Sequence, residues 1–295
     1  MKTMQRLTAH WWLCCACALH APAVMADCML QIPATVVLGH YDPGAAQATP
    51  VSWQLSVRSR NPKTGCRARL QAETIDQTSN LLLLGDDPAG LRVTLSQDAA
   101  GRQALPVAPQ DMALIQLDND RETTMVFWAT RDTGQWISPK SLYRGSLRLT
   151  LLDEQGKTLD QSDVEFKSMI TSVVQAQFGQ SNSASGLNST RLDFGELKQG
   201  SRRNATLAVR ANTGYTITLS SANGGGLLHS SQPQQRIAYQ LRLDGKPVAL
   251  NQPIAGLSAN RPGRQSHDIE VEIGSMQQVL AGEYRDSLLI TVSGQ

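Results

Sequence analysis

The chain has 295 residues with 41% hydrophobic content, and its 27 Lys and Arg nearly balance its 25 Asp and Glu. This length allows two domains of ordinary size, and the hydrophobic content allows each of them a core, which argues against a disordered chain. The small net charge removes the electrostatic basis for binding nucleic acid.

The first 26 residues have the pattern of a signal peptide. Lys2 and Arg6 precede the apolar stretch WWLCCACALHAPAV, and Val24–Ala26 is an acceptable cleavage motif. The stretch is shorter than the roughly 20 apolar residues that a transmembrane helix needs. We therefore expect export, with a mature chain that begins near Asp27. Loss of Lys2 and Arg6 leaves 25 basic and 25 acidic residues, so we expect no nucleic-acid partner.

Two of the five cysteines, Cys28 and Cys66, remain after the predicted cleavage. Two cysteines in an exported protein favour one disulfide, because the compartments outside the cytoplasm are oxidising. We expect the bridge to join the first strand of the first domain to a neighbouring segment. The alternative is two separate free thiols.

Short alternating runs between turn signals predict an all-β fold of the sandwich type. Each run places apolar side chains on one face and polar side chains on the other. The runs are VSWQLSV (51–57), LRVTLSQ (91–97), YTITLSS (215–221), RIAYQLRL (236–243) and HDIEVEI (267–273). LDGK (243–246) has the pattern of a hairpin turn, and no window shows sustained helical periodicity.

One strand pattern occurs twice. YRGSLRLTLL at Tyr143–Leu152 and YRDSLLITVS at Tyr284–Ser293 share Tyr-Arg, then Ser-Leu, then an alternating apolar face. After the first copy, DEQGK (153–157) predicts a turn and SDVEFKSM (162–169) a returning strand. After the second copy there is neither. We predict that the second domain lacks one strand that the first possesses. The apolar face of the second copy is Tyr284, Asp286, Leu288, Ile290 and Val292.

These patterns predict a first domain over 27–168 and a second over 169–295. TSVVQAQF (171–178) would open the second domain with a strand. GQSNSASGLNS (179–189) has the composition of a flexible segment, and we interpret it as a loop inside the second domain.

The chemistry-bearing residues give no case for an enzyme. His40, His229 and His267 are not at metal-ligand spacing, and no G-x-S-x-G, H-E-x-x-H or P-loop pattern occurs. We therefore predict no catalytic residues, no cofactor and no metal site.

Four segments of the second domain, in order, carry a family resemblance: LDFGELKQGS, ANTGYTITLSSANGGGLLH, RIAYQLRLDGKPV and AGEYRDSLLITV. Together they resemble the spore coat U domain, found in subunits of archaic, Csu-like chaperone–usher pili. The first domain resembles the same family more faintly, through CMLQIPATVVLGHYDPG (28–44) and GQWISPKSLYRGSLRLTLLDEQGKTLDQSDVEF (134–166). The two-domain layout is similar to that of the tip adhesins of these pili.

The resemblance implies two immunoglobulin-like β-sandwiches, of which the second lacks its last strand and accepts one from a partner. The expected partners are a periplasmic chaperone, an outer-membrane usher and a neighbouring subunit that donates its strand. Leu288, Ile290 and Val292 would line the interface with the incoming strand, and Gln295 would be the point where the chaperone anchors the chain.

The expected function is attachment to a surface and biofilm formation by a tip adhesin exported through the periplasm to the cell surface. Cys28 follows the predicted cleavage by one residue, so we expect no spare strand to donate. A minor or adaptor pilin is one alternative, and a secreted carbohydrate-binding β-sandwich is another. Trp136 and Ile137 are the candidate adhesive loop, although an aromatic loop folded back over the core has the same pattern. Trp128, in an alternating run, is expected in the core.

Overall fold

The computed structural model describes residues 28–60, 66–75, 80–86, 88–105, 107, 115–116, 122–179, 188–257 and 263–295. The regular structure in these ranges is β-strand, which confirms the predicted all-β fold. No helix in the described ranges is long and apolar enough to cross a membrane. The predicted signal peptide, 1–26, lies outside these ranges, as does most of the loop predicted at 179–189.

The first ten strands form two five-stranded sheets. They are β1 (Cys28–Gln31), β2 (Thr35–Tyr41), β3 (Val51–Ser59), β4 (Arg69–Thr74), β5 (Leu81–Leu83), β6 (Leu91–Ser96), β7 (Ile115–Gln116), β8 (Glu122–Arg131), β9 (Tyr143–Leu152) and β10 (Thr158–Ile170). One sheet has the order β1-β3-β8-β6-β5 and the other β2-β10-β9-β4-β7. The pair β2–β10 is parallel, and β10 and β9 are antiparallel. We call these strands the first sandwich.

The two sheets pack face to face because each strand alternates apolar and polar residues. Trp53 in one sheet stacks on Phe127 at 5.1 Å between ring centroids, and meets Phe166 of the other sheet edge-on at 5.6 Å. Such aromatic pairs contribute beyond the area that they bury. Trp128, expected in the core, is only half-buried on the opposite face from Phe127.

The next ten strands form a large and a small sheet. They are β11 (Val174–Phe178), β12 (Arg202–Ala211), β13 (Tyr215–Ser221), β14 (Gly226–His229), β15 (Arg236–Leu243), β16 (Lys246–Pro247), β17 (Ile254–Leu257), β18 (Gly263–Ile273), β19 (Tyr284–Arg285) and β20 (Leu288–Gly294). The large sheet has the order β11-β12-β18-β15-β14-β19, with β16 paired to β15. The small sheet has the order β17-β13-β20. We call these strands the second sandwich.

Most predicted strands are observed, and β9 has the predicted bounds. The LDGK turn is also confirmed, since Asp244 and Gly245 both have positive φ, as this kind of tight hairpin requires. The continuous strand predicted from Tyr284 is wrong. It is broken after Arg285, where the chain leaves the large sheet, and it resumes at Leu288 in the small sheet. The domain boundary after residue 168 stays a prediction; β10 runs on to Ile170.

Cys28 and Cys66 form the predicted disulfide, which closes a separation of 38 residues. Chain-entropy arguments give a loop of this size about 3–4 kcal/mol of stabilisation. Replacing both cysteines with alanine should therefore lower the free energy of unfolding of the first sandwich by about that amount. Urea unfolding followed by tryptophan fluorescence measures it, because all three tryptophans after the predicted leader lie in the first sandwich. Free thiols in the denatured, unreduced protein would contradict the bridge.

Candidate functional site at the open edge of the last strand

The last strand, β20, has a partner strand on one edge. Its residues pair with β13 in antiparallel register, with Ile290 opposite Leu219. No strand among the described residues pairs with the other edge. β9, which carries the first copy of the repeated motif, instead lies between β4 and β10. The second sandwich therefore presents an open edge in the place where the first sandwich continues with β10 and then β2.

The apolar face of β20 is less covered than that of β9. Leu147, Leu149 and Leu151 of β9 are all 0% exposed. The residues at the same positions of the repeat are Leu288, Ile290 and Val292, and all three are only partly buried. In the first sandwich, β10 pairs with β9 along the edge that is open in β20, with Val164 opposite Leu147.

The core of the second sandwich as a whole is less completely buried than the core of the first. Among the described residues, the first sandwich has 29 buried core residues and four partly buried hydrophobic residues packed on them. The second has ten buried core residues and twelve partly buried ones. A large hydrophobic side chain gains about 1.5–3 kcal/mol on full burial, so a strand laid over this face would stabilise the domain considerably.

The segment that follows β11 adds two more partly covered apolar side chains to this core. Residues 188–200 follow β11 but form no strand among the described residues. Leu192 and Phe194 nevertheless pack against the core and stay partly exposed. The guanidinium group of Arg203 lies 5.8 Å from the Phe194 ring centroid. We define the strand groove as the partly covered apolar surface of this core that is formed by Leu192, Phe194, Leu288, Ile290 and Val292.

Gln295 continues the ladder beyond β20. Its N–H donates to the carbonyl of Gly214 at 2.8 Å, and its own carbonyl accepts from the hydroxyl of Thr213 at 3.0 Å. The structure thus places Gln295 next to the start of β13. Its predicted role as a chaperone anchor point stays a prediction.

A buried polar link ties β13 to the large sheet. The Tyr215 hydroxyl lies 2.6 Å from Nε2 of His267 and 2.5 Å from Oε1 of Gln265, and Nδ1 of His267 lies 2.8 Å from the Asp244 carboxylate. Burial, with the Asp244 charge adding to it, raises the pKa of Tyr215 to about 12. Tyr215 and His267 are 0% and 5% exposed, so this link fixes the strand that β20 pairs with.

Trp136 and Ile137 are both buried, at 9% and 4% exposure. Their predicted position on an exposed loop tip is wrong, and the alternative, a loop folded back over the core, is correct. Ile137 belongs to the core of the first sandwich, and Trp136 is covered by Arg210 of β12 at 4.2 Å. This loop follows β8. The end of β8 lies beside the end of β10, because Arg131 Nη1 donates to the Ser168 hydroxyl at 3.5 Å. At the end of β10 the chain enters the second sandwich.

An open cleft of about 540 Å³ lies elsewhere on the first sandwich. Among the described residues its lining includes Thr94, Thr130 and Asp132 but no aromatic side chain. The Asp132 carboxylate already accepts from the Thr94 hydroxyl at 3.1 Å and lies 3.7 Å from Arg92. Among the described residues this cleft therefore offers no aromatic stacking face, and its carboxylate is already paired. No group of three or more metal-ligating side chains occurs among the residues that the structure describes.

Two features of the groove escaped the sequence reasoning. Leu192 and Phe194 lie in LDFGELKQGS, a motif whose sequence does not indicate where they pack. Asp286 was counted on the apolar face of the last strand without a role. A carboxylate in an otherwise apolar alternation is itself a signal, because such a group needs hydrogen-bond donors.

No protein-family model and no curated protein sequence matches the chain. Solved structures similar to it include the CsuC–CsuE chaperone–tip adhesion subunit pre-assembly complex of archaic chaperone–usher Csu pili of Acinetobacter baumannii, at 12% identity, TM-score 0.45, over 89% of this chain and 99% of that one. CfaE, the adhesive subunit of CFA/I fimbria of enterotoxigenic Escherichia coli, is 10% identical, with a TM-score of 0.46 over 88% of this chain and 91% of its own.

The CupB6 tip adhesin from Pseudomonas aeruginosa is 12% identical, with a TM-score of 0.36 over 90% of this chain and 94% of its own. Identities and TM-scores of this size carry no argument about function.

Proposed function

We propose that this chain is an exported subunit of a chaperone–usher pilus, and that its second sandwich joins the fibre by accepting a strand. One observation carries the proposal: β20 has an open edge and a half-covered apolar face at the position where the first sandwich has β10. Unpaired backbone groups beside bare apolar side chains form a surface that pairs with any available strand. A dedicated partner strand would complete both the ladder and the core.

The proposed partners act on this groove in sequence. A periplasmic chaperone would cover the groove during export and contact the chain near Gln295. An outer-membrane usher would receive the complex, and a neighbouring subunit would then supply the lasting strand through its own N-terminal segment. Leu288, Ile290 and Val292 are the residues on which each partner strand would pack.

We further propose that the subunit is the tip adhesin, which mediates attachment to a surface and biofilm formation. The first sandwich has its own β10 and needs no partner strand, so its surface is free for another task. The end with the 153–157 turn lies away from the second sandwich and carries exposed polar residues such as Glu154, which pairs with Arg67. We place the contact with the target at this end, in place of the buried Trp136 and Ile137.

Removing the first sandwich from the chromosomal copy of the gene tests the tip assignment. Surface pili are counted by electron microscopy and attached cells by crystal violet staining. For a tip adhesin we expect normal pili and lost attachment. Normal attachment on normal pili would contradict the adhesin, and loss of the pili themselves would favour an adaptor subunit.

A further inference from the structure

The chain passes from the large sheet to the small sheet just before β20, between Arg285 and Leu288. Arg285 in β19 still pairs with β14 of the large sheet, and Leu288 in β20 already pairs with β13 of the small sheet. Asp286 and Ser287 lie at the crossing, outside the paired residues of both ladders, and the Ser287 carbonyl accepts from the N–H of Ala222 at 3.0 Å. The ladder with β13 holds β20 from Leu288 onward, so the geometry of the crossing itself depends on further contacts of Asp286 and Ser287.

The Asp286 carboxylate accepts four hydrogen bonds at this crossing. Its Oδ2 accepts from the Tyr239 hydroxyl at 2.5 Å and from the Ser221 hydroxyl at 2.6 Å. Its Oδ1 accepts from the N–H of Ser287 at 2.7 Å and of Asn223 at 3.2 Å. Tyr239 belongs to the large sheet and Ser221 to the small one, so one side chain bonds to both sheets. Hydrogen bonds to an ionised acceptor are the strong kind.

The donors are themselves held in place. The Ser221 hydroxyl oxygen accepts from the N–H groups of Asn223 at 3.1 Å and Gly225 at 2.8 Å. The Asn223 side-chain amide donates to the carbonyl of Arg285 at 3.2 Å. The turn after β13 is thus bonded to both sides of the crossing, and its geometry and that of Asp286 support each other.

In the first sandwich, different contacts hold the corresponding part of the repeated motif. Gly145 occupies the equivalent position of the repeat, and a Cβ there would lie 2.6 Å from the carbonyl oxygen of Leu82. Leu84, which follows β5, exchanges two backbone hydrogen bonds with Arg144, at 2.7 and 2.9 Å. A neighbouring backbone segment and β10 hold β9 at this point, whereas β20 has a carboxylate here and, in the part of the chain that the structure describes, no strand on its outer edge.

We infer that Asp286 is a positioning residue for strand acceptance. It fixes the crossing so that Leu288, Ile290 and Val292 face the strand groove while the outer edge of β20 has no partner. The inference rests on the proposed function for the identity of that partner as a strand. Packing contributes less to the position of β20 than to that of β9, because the apolar face of β20 is only half-covered before the partner arrives.

The test uses the mature chain with a copy of residues 153–170, the turn and returning strand of the first sandwich, appended after Gln295. Hydrogen–deuterium exchange is measured over 288–294 in this extended chain and in its Asp286→Asn variant. We expect exchange about tenfold faster in the variant, together with a smaller gain in melting temperature from the appended strand. Exchange over 143–152 in β9 is the internal control and should not change.

Matched variants distinguish a specific role of Asp286 in positioning β20 from a general loss of stability of the second sandwich. Tyr239→Phe and Ser221→Ala each remove one donor to Asp286 and should give intermediate increases over 288–294, even if Asp286→Asn fails to fold. Glu283→Gln and Tyr284→Phe make the same chemical changes nearby without touching this carboxylate, since Glu283 pairs with Arg285 and the Tyr284 hydroxyl donates to Leu280.

Unchanged exchange over 288–294 in the Tyr239 and Ser221 variants would overturn the inference, as would equal effects of the Glu283 and Tyr284 controls. Failure of the proposed function gives a different result: the appended strand would not stabilise even the wild-type chain. In that case the exchange comparison, made in the chain without the appended strand, still decides whether Asp286 holds β20.

Discussion

Replacing Ile290 with aspartate should abolish the appearance of the subunit on the cell surface. Ile290 lies in the middle of the half-covered face of β20, opposite Leu219 of the neighbouring strand. A carboxylate there would be buried without a partner once a strand occupied the groove, at a cost of several kcal/mol. Neither chaperone nor neighbouring subunit could then complete the domain. Leu288→Asp should act in the same way.

Leu289→Asp is the matched control for this prediction. Leu289 is next to Ile290 in the same strand but is 66% exposed on the outer face. The same chemical change there leaves the strand groove apolar, so export and pilus number should stay near those of the wild type. Whole-cell immunoassay for the subunit and electron microscopy of pili measure both variants. Equal loss at 289 and 290 would contradict a role for the groove-facing side.

Replacing Phe166 with alanine should lower the free energy of unfolding of the first sandwich by about 3–5 kcal/mol. Phe166 lies on β10, is 0% exposed, and meets Trp53 of the opposite sheet edge-on. The large expected effect follows from the completeness of this core, because no partner strand is needed to bury the side chain. Urea unfolding monitored by tryptophan fluorescence reports the loss directly.

Lys167→Ala provides the comparison for Phe166. Lys167 is the next residue of β10 and faces outward, where it pairs with Glu165 at 2.7 Å. Exposed ion pairs of this type contribute about 1 kcal/mol or less, so this variant should unfold close to the wild type. A loss of less than about 1 kcal/mol for Phe166→Ala would mean that β10 is not an integral strand of the first sandwich.

The alternation of side chains was enough to predict the strands, because burial on one face of a sheet imposes a period of two. It was also enough to find the repeated motif and to predict the open edge of the last strand, which no strand among the described residues covers. The same period cannot tell which sheet a strand joins. Tyr284 and Leu288 fall on one face of a single predicted strand, yet they lie in different sheets because the chain crosses at Asp286.

The alternation of apolar and polar residues could not predict where the loops lie. Trp136 follows Gly134 in a polar stretch, which is typical of an exposed tip. Its ring is covered by Arg210, a residue of the other sandwich that is distant in sequence. The positions of Leu192 and Phe194 could not be predicted for a similar reason. These residues pack against the core without forming a strand, and a segment of this kind has no period to detect.

The central claim is that β20 accepts a strand as β9 accepts β10. The most direct measurement is the melting temperature of the mature chain with residues 153–170 appended after Gln295, compared with the same chain carrying those residues in scrambled order. We predict that the native order makes the second sandwich a soluble monomer and raises its melting temperature by about 10 °C or more over the scrambled order. Equal melting temperatures, with both proteins monomeric and β20 already protected from hydrogen exchange, would contradict the open edge.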